Sequence, residues 1–366
     1  MDVTGSGYKN LSVSLCSELA KLGHEIKVLG INYGGQEHDF DFSLIPCPNI
    51  QLVPPMLHNL GSMWNFDVLI TALDIPWQQR IMQLFPQRNW LYWGIFPIEA
   101  PPLSQSWAYY LSQMDKQFII SEFGTAEAQR MGVDAIYLPI GIDTNSWRMP
   151  SEQERKMLRG SYGYTDDDFV ILTVADNQER KFLSRTAQIV RDFRDKYELS
   201  VRWVVVTRIH ADVGWNLADL ASATNLTQEM LPLERGMSFR ELWSLYALAD
   251  AFLLTSKAEG VGIPALEAMA VGLPVVATDC TGLHENMLAG GGFPIEPEKL
   301  EDTFIDPFGN GYRYLASPAS GVKQLHNVYT KQGTEVQTRK ARGYVETLRW
   351  ERSAQVINAE LGRIVK

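Results

Sequence analysis

Continuously apolar runs recur along the chain, separated by stretches in which apolar positions return at helical spacing. In the first half they are EIKVLGI (25–31), DVLITAL (67–73), NWLYWGIF (89–96), QFIISE (117–122) and AIYLPI (135–140). In the second they are FVILTVA (169–175), RWVVVT (202–207), DAFLLTS (250–256) and PVVATD (274–279). A strand wetted on one face alternates apolar with polar residues. A strand covered on both faces has no need to, so these runs predict parallel strands with helices on either side. Helical segments lie between many of them, and SFRELWSLYALA opens with Ser238 and Glu241 at the spacing of a capping box. Two sets of alternating strands and helices predict an α/β protein of two Rossmann-like domains, each a doubly wound parallel sheet.

The sets are separated by GIDTNSWRMPSEQERKMLRGSYGYTDDD (141–168), a polar stretch rich in turn residues. Ser151 and Glu154 form a second capping-box pattern, which predicts a helix opening after Pro150. The chain is accordingly divided into an N-terminal domain over 1–150, a C-terminal domain over 151–335 and a closing helical segment over 336–366. Its 366 residues suit two cores better than one.

Composition narrows the class. With 45% hydrophobic and 21% charged residues the chain is globular, and a net charge of −10 argues against a binder of nucleic-acid backbone. The three cysteines, Cys16, Cys47 and Cys280, are odd in number and lack metal-ligand spacing, which predicts buried thiols in a reducing compartment. No run approaches the roughly 18 apolar residues of a membrane span. The expectation is a soluble cytoplasmic protein with at most peripheral membrane contact.

The densest candidate chemistry is EGVGIPALEAMAVGLPVVATD (259–279). A buried strand precedes it, and Gly260 and Gly262 let backbone N–H groups approach a ligand closely. Pro264 suits the first turn of a helix that Gly272 and Pro274 end, which places Glu267 in or just past that turn. On spacing alone, Glu267 complementing the helix dipole and Glu259 solvated in a loop account for the pattern equally well.

The full pattern resembles the Glu-x7-Glu signature of glycosyltransferase family 4, a retaining family with the GT-B fold. The resemblance extends to TGSGYKNLSVSLCSELAKLGHEIKVLG near the N-terminus, YWGIFPIEAPPL, LPIGIDTNSW, TVADNQERKF and the late helix WERSAQVI. It implies two Rossmann-like domains facing a central cleft, a UDP- or GDP-sugar donor, no metal or cofactor, and a glycan, lipid or small-molecule acceptor. By resemblance, Glu267 accepts from the ribose hydroxyls, Glu259 contacts the donor sugar, and the N–H groups around Gly260, Val261 and Gly262 line the sugar and diphosphate. Arg180 and Lys181 stabilise the departing diphosphate. Gly5 and Gly7 face it from the N-terminal domain. Glu99 stands in a loop that faces the donor sugar in relatives, where accepting a proton, positioning the acceptor and simply anchoring the loop are equally open roles.

The sequence departs from the family twice. Many members carry an arginine where this chain reads Ala175–Asp176, and Arg185 is expected to compensate. The family also has a strand before the glycine loop, whereas only a few residues precede Gly5, so the N-terminal sheet is expected to lack its first strand. A catalytically silent protein of the same fold, binding a nucleotide sugar or only a partner within an assembly, stands as the alternative reading.

Overall fold

The computed structural model describes residues 7–210, 214–301 and 311–364. They form two compact units. Unit 1 holds the described residues through Gly141 and those from Leu348 onward, and unit 2 holds those from Ile142 through Thr347.

Unit 1 runs α1 (Gly7–Lys21), β1 (Lys27–Ile31), β2 (Ser43–Cys47), α2 (Val53–Met63), β3 (Val68–Ala72), α3 (Ile75–Leu84), β4 (Leu91–Phe96), α4 (Gln105–Leu111), β5 (Lys116–Ile119), α5 (Glu122–Arg130) and β6 (Ala135–Tyr137). Strands β1 and β2 pair in parallel, and β3-β4-β5-β6 form a four-stranded parallel sheet. Tyr92, Trp93, Ile95 and Phe96 of β4 are fully buried, as expected of a strand covered on both faces.

Unit 2 runs α6 (Glu152–Ser161), β7 (Phe169–Val174), α7 (Leu183–Tyr197), β8 (Val201–Thr207), α8 (Leu217–Ala223), β9 (Met230–Glu234), α9 (Phe239–Leu248), β10 (Ala251–Leu254), α10 (Ile263–Val271), β11 (Val275–Thr278), α11 (Thr281–Gly290), β12 (Phe293–Ile295), β13 (Pro297–Glu301), β14 (Arg313–Ala316), α12 (Pro318–Tyr329) and α13 (Thr334–Val345). Its main sheet has the order β12-β11-β10-β7-β8-β9, and every pairing in it is parallel. A separate antiparallel pair joins β13 to β14. Both capping boxes form, at Ser151–Glu154 and at Ser238–Glu241.

The unit boundary falls nine residues before the one drawn at 150, because Ile142–Met149 packs with unit 2: Trp147 lies edge-on to Tyr246 at 5.1 Å between ring centroids. Within the segment 336–366 the two helices part company. Helix α13 stays in unit 2, where Arg342 donates to the carbonyls of Ala270 and Trp147. Helix α14 (Trp350–Leu361) belongs to unit 1 and packs along α1. Its Glu360 pairs with Lys116 of β5 at 2.8 Å, and its Ser353 hydroxyl donates to the Pro139 carbonyl.

The amino edge of the main sheet is held by Asp250. Its Oδ2 accepts from the Val170 N–H at 2.7 Å and from Arg159 Nη1 at 2.9 Å, while Oδ1 accepts from Arg155 at 2.6 Å. Arg159 also donates to the carbonyls of Thr165, Asp168 and Leu248, so one buried guanidinium ties α6 to the starts of β7 and β10. Replacing Arg159 with Leu leaves three carbonyls and half of the Asp250 pair unmet, and a stability loss of about 3 kcal/mol is expected. Urea midpoints measure it; an Arg159→Leu protein as stable as wild type contradicts this account.

Candidate functional site

The strand order of unit 2 reverses at one place. From β7 the chain winds outward through β8 to β9, then returns to the other side of β7 as β10 and winds outward again through β11 and β12. Loops leaving the carboxyl ends of β7 and β10 therefore run to opposite faces of the sheet, and open α/β sheets bind ligands in the crevice left between them. Residues 175–182 leave β7, and residues 255–262 leave β10.

Arg180 and Lys181 come from the first of these loops and Glu259 from the second, and the structure brings them together. Glu259 Oε1 accepts from Lys181 Nζ at 2.5 Å and from the Ser256 hydroxyl at 2.6 Å, and Oε2 accepts from Arg180 Nη1 at 3.1 Å. The loops are clasped through their backbones as well. The Lys257 N–H donates to the Arg180 carbonyl at 2.8 Å, and the Arg180 guanidinium returns a bond to the Ala258 carbonyl at 2.5 Å. Lys257 pairs with Glu179 and lies 4.4 Å from the centroid of the Phe182 ring. Burial pushes the Glu259 carboxyl upward, but the charges of Lys181 and Arg180 and the bonds from Lys181 and Ser256 outweigh it and hold its pKa at about 2. Glu259 is a permanent anion whose charge is spent on two cations.

The loop backbone is unusual. Gly260, Val261 and Gly262 are buried, yet among the described residues none of their three N–H groups donates a hydrogen bond. Buried backbone N–H groups without a partner are rare, so a loop with three in succession is a candidate place for a ligand's acceptor atoms. Gly262 has φ +80°, and a Cβ there would lie 2.4 Å from Leu283, so the turn into α10 requires glycine.

Glu267 sits in the second turn of α10, one residue deeper than a first-turn dipole partner, with 5% of its surface exposed. Its Oε2 accepts from the Tyr246 hydroxyl at 2.9 Å, and among the described residues Oε1 accepts nothing. Burial raises its carboxyl to about 7, partly opposed by the bond from Tyr246. The two motif glutamates thus differ in state, one ionised by adjacent cations and the other near half-protonation at neutral pH.

Sequence reasoning did not find Tyr246, Thr281 or Asn286. Thr281 grips the backbone of Glu259, and Asn286 Nδ2 donates to the Val261 carbonyl at 2.7 Å. They stand one strand further along the chain, with no motif spacing to mark them. Arg185 does not take the place of the absent arginine, because it donates to the Ala316 carbonyl at 2.8 Å and pairs with Glu298. Asp176 instead forms a two-point ion pair with Arg208 from the end of β8. Glu99 lies in the loop after β4 and Gly7 opens α1, both in unit 1; Gly5 lies outside the described residues. Among the described residues no group of three or more His, Cys, Asp or Glu side chains is arranged to hold a metal ion, and no helix is long and apolar enough to cross a membrane.

Comparison with known proteins defines the class. Sucrose-phosphate synthase from Thermosynechococcus elongatus matches with a TM-score of 0.78 at 15% identity, covering 100% of this chain and 95% of that one. Anabaena HepE in complex with UDP-glucose matches with a TM-score of 0.76 at 16% identity, covering 98% and 96%. The fold is GT-B, built of two Rossmann-like α/β units. Within it, residues 154–305 match the family described as glycosyl transferases group 1, and this segment carries both switch-point loops. Mannosylfructose-phosphate synthase of Agrobacterium fabrum is 27% identical over 212 residues, which is 54% of this chain and 44% of that protein. The chain spans about half the length of the curated relatives it matches.

The raised Glu267 carboxyl has a definite sign in stability. Folding favours its neutral form, so relative to an always-neutral Gln its contribution is full below pH 4.5 and is lost as pH rises through about 7. Between pH 4 and pH 8, Glu267→Gln is expected to gain about 3 kcal/mol on wild type. Parallel urea titrations read this difference; one that stays flat across the range contradicts the assignment.

Proposed function

We propose that the protein is a retaining glycosyltransferase, moving a sugar from a UDP- or GDP-sugar onto a hydroxyl of a glycan, lipid or small-molecule acceptor. The observation that carries the reading is the buried loop Gly260–Gly262, whose three N–H groups donate no hydrogen bond among the described residues, on the strand-end loop whose Glu259 pairs with Arg180 and Lys181 at a topological switch point. Backbone donors and fixed cations in a water-poor crevice suit a group that gains negative charge as a bond breaks. The HepE structures, described as complexes with UDP-glucose, with UDP, and with UDP and glucose, support a nucleotide-sugar donor.

In this reading the acceptor oxygen attacks the anomeric carbon from the face the diphosphate leaves. The bond from carbon to phosphate oxygen breaks as the bond to the acceptor forms, and the departing phosphate oxygen takes the acceptor's proton. Arg180, Lys181 and the loop N–H groups meet the charge left on the diphosphate. Glu259 accepts from hydroxyls of the donor sugar, and Glu267 accepts from the ribose with Oε1 while Tyr246 fixes Oε2. Glu99 serves the acceptor. Because Glu259 pairs with both Arg180 and Lys181, an arriving diphosphate competes with it for these cations and releases it to the sugar.

Two measurements test this. UDP or GDP is expected to raise the melting midpoint of wild type, with a clearly smaller response from Glu267→Ala; no shift with either nucleotide, or an equal response from the variant, refutes the ribose assignment. A protein that binds the nucleotide but never releases diphosphate from a nucleotide sugar would instead be a silent binder. The second test uses Glu259→Gln, which removes the carboxylate charge that Arg180 and Lys181 share. The variant is expected to be less stable alone, to bind free nucleoside diphosphate roughly tenfold tighter than wild type, and to transfer sugar poorly. Weaker diphosphate binding by the Gln variant in calorimetry rules out the exchange of partners.

A further inference from the structure

Helix α11 begins with a residue in an unfavourable conformation. Thr281 has φ +43°, and a β-branched side chain is rarely found in that region because its γ atoms crowd the backbone. The conformation lets its hydroxyl make a reciprocal clamp: Oγ1 accepts the Glu259 N–H at 2.9 Å and donates to the Glu259 carbonyl at 2.9 Å. The next residue, Gly282, donates its N–H to the same carbonyl at 3.0 Å. A Cβ on Gly282 would stand 2.0 Å from the Gly260 carbonyl oxygen, so the helix end rests directly on the loop. One turn on, Asn286 holds the Val261 carbonyl, and its Oδ1 accepts from the Tyr344 hydroxyl of α13 at 2.7 Å.

Two carbonyls of the loop, at residues 259 and 261, are therefore turned toward α11. In a trans peptide the C=O and N–H point in opposite directions, so the N–H groups of Gly260 and Gly262 are turned away from α11. The same contacts fix the backbone from which the Glu259 carboxylate projects toward Arg180 and Lys181. Strained conformations persist where the surrounding structure over-determines them, and such places cluster at functional sites.

We propose that Thr281 is a positioning residue of the donor site, aiming the Gly260 and Gly262 N–H groups and the Glu259 carboxylate at the diphosphate, with Asn286 and Tyr344 as its support. The inference rests on the glycosyltransferase reading and assigns to that site residues that touch no substrate. N–H groups aimed at the leaving phosphate act on charge that develops during bond breaking, so loss of the clamp falls on kcat more than on binding.

The test compares three variants of the full chain. Thr281→Gly removes the hydroxyl at a backbone angle where glycine is at ease, Thr281→Ser keeps the hydroxyl, and Tyr344→Phe removes the hydroxyl that supports Asn286. Release of UDP from UDP-glucose and of GDP from GDP-mannose is followed together with UDP and GDP affinity and melting midpoint. Thr281→Gly is expected to lose about 10- to 100-fold in kcat while KM and nucleotide affinity change less than threefold. Thr281→Ser is expected to stay within about threefold of wild type, and Tyr344→Phe to fall between them. Should Thr281→Gly fail to fold, the contrast between Thr281→Ser and Tyr344→Phe decides, and a Tyr344→Phe protein equal to wild type overturns the clamp. A Thr281→Gly protein as active as wild type, or a kcat loss that only follows the folded fraction, overturns it too. Wild type that neither binds nor turns over these nucleotides overturns the donor-site reading beneath it.

Discussion

One carboxylate, that of Glu259, holds the unit 2 site in its present arrangement. It stands at the point where the sheet changes winding direction, and the loops from β7 and β10 would otherwise diverge there. Arg180 and Lys181 are mostly buried, and burying two cations without an anion would cost several kcal/mol. Glu259 meets both charges, and the clasp between Lys257, Arg180 and Ala258 fixes the backbones that present them. The ion pair thus sets the relative position of the two loops.

The central strands were legible because a strand covered on both faces needs no alternation, and its apolar run shows even in a single sequence. The strands β2, β9 and β12 escaped for a common reason. Each carries a proline, Pro46, Pro232 and Pro294, and each lies at a sheet edge. Proline cannot donate to a ladder and reads as a turn signal, yet an edge strand has one side with no ladder to serve. The segment 259–267 was legible as candidate chemistry through its glycines and spaced glutamates. Which cation accompanies which acid was not, because pairings such as Arg208 with Asp176 and Arg185 with Glu298 join residues 32 and 113 positions apart. Expecting Arg185 to replace the absent arginine failed on that account: its place in the sequence is one helical turn from Lys181, but β14 holds its guanidinium.

The loop 256–262 is fastened from two sides by different chemistry. On the β7 side it is held by the charges of Arg180 and Lys181 and by the backbone bond from Lys257 to Arg180. On the α11 side it is held by neutral hydrogen bonds, through Thr281, Gly282 and Asn286. An arriving anion can compete for the cations, but it offers nothing to carbonyls already bonded on the α11 side. The two sides are therefore suited to different tasks: the charged contacts can exchange partners, while the neutral ones keep the backbone where it is as they do so.

The motif glutamates follow the same division. Glu259 is surrounded by cations and stays ionised, so its contacts are strong, charge-assisted and exchangeable. Glu267 has only the Tyr246 hydroxyl, and burial without a cation brings its carboxyl to about 7. A group in that state is about half charged at neutral pH, and hydroxyl donors to its carboxylate would favour the ionised form. Eight residues apart on one loop and helix, two identical side chains are thus given different electrostatic roles by what packs against them: basic side chains from the β7 loop in one case, a phenol from α9 in the other.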